Sequence, residues 1–524
     1  MSTATSLARV IVRQIIEAGI TDVVVSPGSR NAPLSLAFNA AENRGLIKMH
    51  IRIDERTAAF FALGLTKSTG RPVPVVCTSG TAVANYHPAV LEAHHTNAPL
   101  LVLTADRPAM LRRTGANQTT EQARIFGKAV RYFADIDGPV FPMDIPLDSL
   151  RSGPVHLNLQ FDEPLLPDDS KQWLDDISIA PVLFKPRNKT ATLKIQATRG
   201  VLVVGHDRGG LTVTDVRKFA KKLNWPIIAE DPLSFPDAIG HASIFLTSPA
   251  VRSIFTPQAV VVIGRTTLSR SINAFIGLAP VKFVIDSRIA TVDSDRQADK
   301  RFTEIPNLDC AMASDDWIVQ WQKYSHRATK IINEINGWNE ASIAKEIAES
   351  IPDGTALYVS SSRPIRDFEG FAKPRTGVTT YANRGLAGID GNISTALGIA
   401  SGHSQTIAVL GDLSFLHDIT GLITREEINC RFIVINNDGG GIFSTLPQRG
   451  VEGFEKVFGT PHGLDPAVIA QSFGVDSSTI TNIEELKRAV ASPIKGISVV
   501  VAKTPSREVN ADSLKSIYEK MSSI

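Results

Sequence analysis

Short runs of Val, Ile and Leu recur along the whole of this 524-residue chain, each followed by a small-residue loop and then a stretch with 3.6-residue apolar periodicity. A strand that is apolar on both faces must be covered on both faces, so this rhythm restricts the chain to parallel sheets with helices on either side. The expected class is α/β, with three doubly wound parallel-sheet units. In the first, helix Leu7–Glu17 leads into strand Asp22–Val25, and strand Val73–Cys77 is followed by helix Ala82–His94 and strand Leu100–Thr104. A Pro/Asp-rich stretch without periodicity, Pro164–Pro186, reads as a linker. A second sheet is expected from Gly200–Gly205, Ala259–Ile263 and Val281–Ile285. The polar helical stretch Asp315–Ala348 then leads to a third, with strands Leu357–Ser360, Gln405–Leu410, Phe432–Ile435 and Ile497–Val501. The natural division is 1–180, 181–345 and 346–524.

Charge excludes some functions. Lys plus Arg (55) nearly balances Asp plus Glu (53), so no global field draws the chain to nucleic acid or an anionic membrane. Three cysteines, Cys77, Cys310 and Cys430, are odd in number and far apart, which argues against a disulfide framework and a zinc site. The N-terminus lacks a basic segment followed by an apolar core, and no apolar run approaches about 18 residues. A cytoplasmic protein is expected.

The chemistry concentrates at two strand ends. Gly411-Asp412 closes the run Thr406–Leu410, and Asn436-Asn437-Asp438-Gly439-Gly440-Gly441 closes Phe432–Ile435, with Asp412 and Asn437 25 positions apart. Two parallel strands joined by a crossover end side by side, so a carboxylate, a carboxamide and a backbone carbonyl can share one hard cation and leave room for phosphate oxygens. The glycines let backbone N–H groups approach a diphosphate. Taken singly each loop reads as a strand-end turn; together, in this order, they read as a metal-diphosphate clamp.

A candidate acid lies in the first unit. Ile53-Asp54-Glu55-Arg56-Thr57 followed by an apolar run reads as an N-cap with Glu55 in the first helical turn. A helix dipole alone favours an acid there. The apolar surroundings would also desolvate Glu55 and raise its pKa, as a proton-shuttling carboxylate requires. Two other motifs are set aside. Gly205-His-Asp-Arg-Gly209-Gly210 follows a strand but lacks the dinucleotide spacing, and His94-His95 ends a helix, where histidine is favoured for structural reasons.

The pair Gly411-Asp412 and Asn436-Asn437 resembles the diphosphate signature of thiamine diphosphate enzymes, and Ser26–Arg30, Glu55 and Thr78–Thr81 resemble their pyrimidine-binding domain. In those enzymes the matching glutamate drives the aminopyrimidine to the imino tautomer that deprotonates thiazolium C2. Most of them have glycine after the aspartate, where this chain has Leu413. The stretches Ser26–Leu34, Thr78–Asn85, Leu103–Pro108, Gly115–Gln118, Asn383–Asn392, Gly411–Ser414 and Asn436–Ser444 resemble more closely the menaquinone-pathway family of 2-succinyl-5-enolpyruvyl-6-hydroxy-3-cyclohexene-1-carboxylate synthases. There Gly-Asp-Leu-Ser is the usual form. The match covers the first and third units; the middle one is only faintly similar.

The resemblance implies thiamine diphosphate with Mg2+ (Mn2+ also) held by Asp412, Asn437 and the Gly439 carbonyl. It implies cofactor contacts from Pro27, Glu55, Thr78, Gly80, Gly388, Ile389, Asp390, Gly411, Leu413, Ser414, Gly441 and Ile442, with Ile389 propping the cofactor in its bent form. Substrate carboxylates need guanidinium groups, which bind them bidentately and stay charged. By motif match these are Arg30, Arg107, Arg270, Arg366 and Arg384, with Ser29, Asn117, Gln118 and Ser362 beside them and Ile442 and Phe443 as an apolar wall. Glu55, Ile389, Arg384 and Gln118 would be the catalytic set. The implied reaction decarboxylates 2-oxoglutarate and adds the succinyl-semialdehyde carbanion equivalent 1,4 to isochorismate. The active site would lie between the subunits of a homodimer or dimer of dimers, Glu55 from one chain and the clamp from its partner. Two alternatives stay open: another thiamine diphosphate carboligase or decarboxylase resembling acetohydroxyacid synthase, and a nucleotide-binding regulatory module without turnover.

Overall fold

The computed structural model describes residues 3–138, 145–167, 172–180, 191–288, 297–311 and 313–523. The linker expected over Pro164–Pro186 lies partly outside them. Backbone contacts group the chain into two compact units, one of residues 1–186, 390–404 and 417–428, the other of 187–389, 405–416 and 429–524. No helix among the described residues is long and apolar enough to cross a membrane. Cys77, Cys310 and Cys430 are free thiols.

The first unit is built on six parallel strands, β1 (Asp22–Val25), β2 (Lys48–Ile51), β3 (Val73–Cys77), β4 (Leu100–Asp106), β5 (Tyr132–Ile136) and β6 (Val155–Gln160), in the order β2-β1-β3-β4-β6-β5. Sheet growth reverses between β1 and β3, so the loops leaving those two strands flank the crevice where open α/β sheets take ligands. Leu7, Ile11 and Ile15 of helix Thr3–Glu17 pack with Val23, Leu101 and Leu157 into one core. The predicted helix Ala82–His94 is two helices, Thr81–Asn85 and His87–Thr96. Pro88 has no N–H for the Ala84 carbonyl, which ends one helix while suiting the first turn of the next.

Helix Glu55–Thr69 is buried from Thr57 to Thr66 because helix Asn392–Ala400 covers its outer face. The two backbones nearly touch. A Cβ on Gly64 would stand 2.2 Å from the Thr395 carbonyl oxygen, and one on Gly398 2.1 Å from that of Phe61. Glycine at both positions is what admits residues 390–404 to this unit.

Segment 417–428 joins the same unit through charge. His50 of β2 is fully buried between Asp22 (3.0 Å) and Glu426 (2.6 Å), and Arg52 stacks on Phe61 (3.9 Å) within 3.6 Å of Glu426. Burial alone would lower the His50 pKa, but hydrogen bonds to the two carboxylates outweigh it and raise it. Burial would raise Asp22 and Glu426, yet the His50 hydrogen bond brings both below the usual range. The signs define a window. The His50 proton contributes stability fully below its ordinary 6.5, and the contribution is lost as pH climbs through its raised folded value. The carboxylates contribute above their ordinary 3.8 and 4.5 and lose that as pH falls through their lowered values. Replacing His50 with Gln strands two carboxylates, and a loss of about 2–4 kcal/mol is expected, moderated by their residual exposure. Melting temperatures from pH 5 to 9 would check this; the wild type should lose its advantage over the variant on the alkaline side.

Among the described residues the second unit holds two larger parallel sheets and a two-stranded pair. Strands β7 (Thr192–Ile195), β8 (Gly200–Val204), β9 (Ile227–Ala229), β10 (Ala259–Ile263), β11 (Val281–Ile285), β12 (Lys300–Phe302) and β13 (Asn307–Cys310) form the parallel sheet β12-β11-β10-β8-β9 and the pair β13-β7. Strands β14 (Ala356–Val359), β15 (Thr379–Tyr381), β16 (Thr406–Gly411), β17 (Cys430–Asn436), β18 (Asp476–Ile480) and β19 (Ile497–Lys503) follow in the parallel order β15-β14-β16-β17-β19-β18. The fold class is therefore α/β, with three larger parallel sheets among the described residues. The predicted helical stretch Asp315–Ala348 divides into Asp315–Asn333 and Glu340–Ser350, because Gly337 turns the chain at φ +95° and Asn339 opens the second helix with a capping box to Ser342. The glycine loop after β8 is filled by protein: a Cβ on Gly205 would meet the Arg265 carbonyl at 1.7 Å, and one on Gly209 the Asp286 carboxylate at 2.8 Å. Arg288, paired with Asp286 and Asp207, closes it.

Candidate active site

In the first unit the predicted residues gather beyond the C-terminal ends of β1, β3 and β4. Arg30 donates to the Phe161 carbonyl (2.9 Å) and lies 3.5 Å from Glu163, while Pro27 and Ser29 on the same loop are exposed. Arg107, just past β4, donates to Ser79 Oγ (2.8 Å) and to the Gln118 carbonyl (2.7 Å). Gln118, at φ +55°, donates back to the Ser79 carbonyl (3.1 Å), and the Gly80 N–H donates to Gln122 Oε1 (3.1 Å). The loops carrying Thr78–Gly80, Arg107 and Gln118 are thus stitched to one another, with Asn117 exposed beside them. The Thr78 hydroxyl is buried without a hydrogen-bond partner. Sequence reasoning missed Ser79 and Gln122, which do the stitching. His94 sits in the last turn of its helix, 3.0 Å from the Ala129 carbonyl oxygen, in a structural position.

Glu55 is the first residue of helix Glu55–Thr69, and Asp54 caps it by accepting from the N–H groups of Arg56 (2.9 Å) and Thr57 (3.4 Å). The expected desolvation is incomplete within one chain. Glu55 is half-buried, because the buried run begins only at Thr57 and a side chain at the first position projects past the helix end.

In the second unit the two strand ends meet. Asp412 Oδ1 accepts from the Leu413 N–H (2.7 Å), and Oδ2 accepts from the N–H groups of Gly439 (2.9 Å) and Asn437 (3.2 Å). Burial raises the Asp412 pKa, and the N–H groups of Gly439 and Leu413 offset part of it. The Asn437 amide donates to Glu340 (2.6 Å), which leaves its Oδ1 buried with no hydrogen-bond partner. That oxygen fits a cation. With the Asp412 carboxylate and a backbone carbonyl it would make an all-oxygen donor set of the kind Mg2+ takes alongside phosphate oxygens. Gly439 has φ +132°, and a Cβ there would stand 2.1 Å from the Gly459 carbonyl; at Gly441 it would strike Asn437 Nδ2 (2.2 Å). Gly439 is therefore required for this turn, and a side chain at Gly441 would displace the Asn437 amide. Ser414 Oγ donates to the Ile389 carbonyl (2.8 Å) and ties the short helix Asp412–His417 to the 388–389 loop. Ile389 is half-buried rather than a core isoleucine; Gly388 and Asp390 are also half-buried.

The arginines of this unit separate into two roles. Arg270 and Arg366 line, with Ile442, Glu369 and Ser269, a pocket of about 250 Å³. The Ser362 carbonyl accepts from Arg366 (2.5 Å) at the head of helix Arg363–Phe371. Phe443 packs against Phe458 with the rings tilted and their centres 5.4 Å apart. Arg384, by contrast, is buried and donates to Glu230 at 2.7 and 3.3 Å. Burial alone would lower its pKa, but Glu230 outweighs that and raises it. Glu230, also gripped by the N–H groups of His206 (2.9 Å) and Leu268 (3.1 Å), was not legible in the sequence. Neither were Glu340 on Asn437 nor His462, whose Nε2 lies 3.3 Å from Asp412.

Comparison with known proteins agrees with this architecture. Residues 5–125 match the thiamine pyrophosphate enzyme N-terminal TPP binding domain, residues 168–359 the middle domain of thiamine pyrophosphate enzymes, and residues 363–502 the C-terminal TPP binding domain. The chain is 39% identical to a 2-succinyl-5-enolpyruvyl-6-hydroxy-3-cyclohexene-1-carboxylate synthase of Nocardioides sp., covering 95% of each chain. It is 35% identical to the synthase of the same name from Thermobifida fusca, covering 96% of each. Among solved structures, benzoylformate decarboxylase from Polynucleobacter necessarius aligns with a TM-score of 0.65 at 17% identity over 97% of this chain and 99% of that one, a likeness of fold.

Proposed function

The chain belongs to the 2-succinyl-5-enolpyruvyl-6-hydroxy-3-cyclohexene-1-carboxylate synthase family of thiamine pyrophosphate enzymes, and we propose that it joins 2-oxoglutarate to isochorismate in menaquinone biosynthesis. It is a thiamine diphosphate-dependent transferase of the carboligase type. In the proposed reaction 2-oxoglutarate loses CO2 and its former keto carbon adds 1,4 to isochorismate, so the product retains every other atom of both substrates. Thiamine diphosphate, when bound, supplies the carbanion-stabilising chemistry that side chains lack.

The chain's own residues hold and orient. Asp412, Asn437 Oδ1 and the Gly439 carbonyl would hold magnesium or manganese, and Gly411, Leu413, Ser414, Gly441 and the 388–390 loop would contact the cofactor. Glu55 would take and return a proton at the pyrimidine ring, with Pro27, Thr78 and Gly80 as further cofactor contacts. Ser29, Arg30, Arg107, Asn117 and Gln118 on one side, and Arg270, Ser362, Arg366, Ile442 and Phe443 on the other, fix the substrate carboxylates and shield the reacting carbon from water. Arg384, neutralised by Glu230, acts as a rigid donor whose charge is already balanced. We assign the working unit to a cytoplasmic homodimer in which one protomer lends Glu55 and its partner the clamp. The observation that supports the reading most directly is the partnerless Asn437 Oδ1, held in the loop that grips Asp412.

Mixing 2-oxoglutarate and isochorismate with the Mg2+- and thiamine diphosphate-loaded protein should consume both in equal amounts and release one CO2 per turnover. Untouched isochorismate with pyruvate consumed would point instead to an acetohydroxyacid synthase-like enzyme. No turnover, with nucleotide preferred over cofactor in calorimetry, would make it a regulatory module.

A further inference from the structure

Residues on either side of Glu55 alternate. His50, Arg52 and Asp54 turn inward and are gripped by segment 417–428, whereas Ile51 and Ile53 are 48% and 63% exposed and Glu55 is half-buried. Each inward residue has a defined partner. The Asp54 carboxylate is shared: Oδ1 caps the helix that begins at Glu55, while Oδ2 accepts the Thr420 hydroxyl at 2.6 Å. Arg52 donates to the Gly421 carbonyl (3.4 Å) and lies 3.6 Å from Glu426. Arg56, just after Glu55, donates to the His417 carbonyl (2.7 Å) and lies 3.9 Å from Asp418. The segment is itself anchored. Fully buried Asp418 accepts from the Ser394 N–H (2.7 Å), and a Cβ on Gly421 would already meet Ser394 Oγ at 2.6 Å.

We infer that segment 417–421 is a positioning element for Glu55, with Thr420 acting through Asp54 as the residue that sets the direction of the Glu55 carboxylate. The physical reason is that a side chain at the first position of a helix has no preceding turn to pack against, so its direction follows the N-cap residue before it. Asp54 cannot swing without releasing either two helix N–H groups or Thr420. A proton-exchanging carboxylate loses rate steeply when misdirected: a displacement of about 1 Å costs on the order of 100-fold.

This inference rests on the reading of Glu55 as the group that activates the cofactor. The test uses the full holoenzyme, and its readouts are deuterium exchange at thiamine C2 by NMR, kcat, and the dissociation constant for thiamine diphosphate with Mg2+. Thr420→Val keeps the shape of the side chain and removes the hydroxyl; exchange and kcat should fall together by about 10- to 100-fold while cofactor affinity stays within about threefold. Thr420→Ser, which restores the hydroxyl, should recover most of the loss. Wild-type exchange in the Val variant, or equal loss in the Val and Ser variants, overturns the inference. If the Val variant does not fold, Arg56→Met, which cuts the neighbouring tie to His417, takes its place: reduced exchange with intact affinity supports the proposal, and wild-type exchange overturns it. Glu55→Gln separates the two readings. Abolished exchange in Glu55→Gln with normal exchange in Thr420→Val removes only the positioning role, whereas normal exchange in Glu55→Gln removes the activator reading itself.

Discussion

Glu55→Gln is expected to lower kcat/KM by about 10²–10⁴-fold, the range a positioned acid or base contributes, while the protein folds and binds its cofactor within a few-fold of normal. The substitution is nearly isosteric. It leaves the Asp54 cap and the buried run Thr57–Thr66 untouched, so the helix should keep its place. What it removes is the capacity to take and return a proton. Deuterium exchange at thiamine C2 should therefore become too slow to follow on the time scale of wild-type turnover. Unchanged exchange would show that the proton moves through some other group.

Asp412→Ala is expected to abolish activity differently, by emptying the clamp. Asp412 holds three backbone N–H groups on two loops and would supply the only carboxylate of the proposed cation set. Loss of a group beside a metal ligand commonly costs 10- to 100-fold in affinity, so loss of the ligand itself should cost more than about 100-fold for Mg2+ and, through it, for thiamine diphosphate. Isothermal titration of the variant with cofactor and Mg2+ checks this; a normal dissociation constant would remove Asp412 from the site. The Gly439 turn should also loosen, because Asp412 Oδ2 is the acceptor for its N–H. Together the two variants separate proton exchange from retention: the first keeps the cofactor and loses exchange, the second loses the cofactor.

Much of the site could be read locally, for a physical reason. Strand ends in a parallel sheet have few neighbours, so a turn such as Gly411–Ser414 or Asn436–Gly441 carries its geometry in its own residues. The necessity of Gly439, visible as a backbone carbonyl where a Cβ would stand, is the same information in three dimensions. Local pattern also placed strands such as Val73–Cys77, Ala259–Ile263 and Val281–Ile285 at their observed bounds. It failed where one residue overrides periodicity, as Pro88 does within the predicted helix Ala82–His94. It also passed over short strands such as Lys48–Ile51, where charged and polar residues interrupt the apolar run.

By itself the amino-acid order determined the α/β class, the strand-end loops that carry chemistry, and the kinship that names the cofactor, because each depends on residues adjacent in the chain or on a sheet rule that fixes where they must emerge. Only the tertiary structure decided which partners those residues have. Glu230 balances Arg384 from 154 positions away, Glu340 orients Asn437 from 97, and segment 417–428 leaves the clamp strands to brace the flank of Glu55 from more than 360. Such contacts come from close helix contact at Gly64 and Gly398 and from the pairing of buried charges, which leave no period in the sequence: their free energy depends on distance in space, and the chain does not record it.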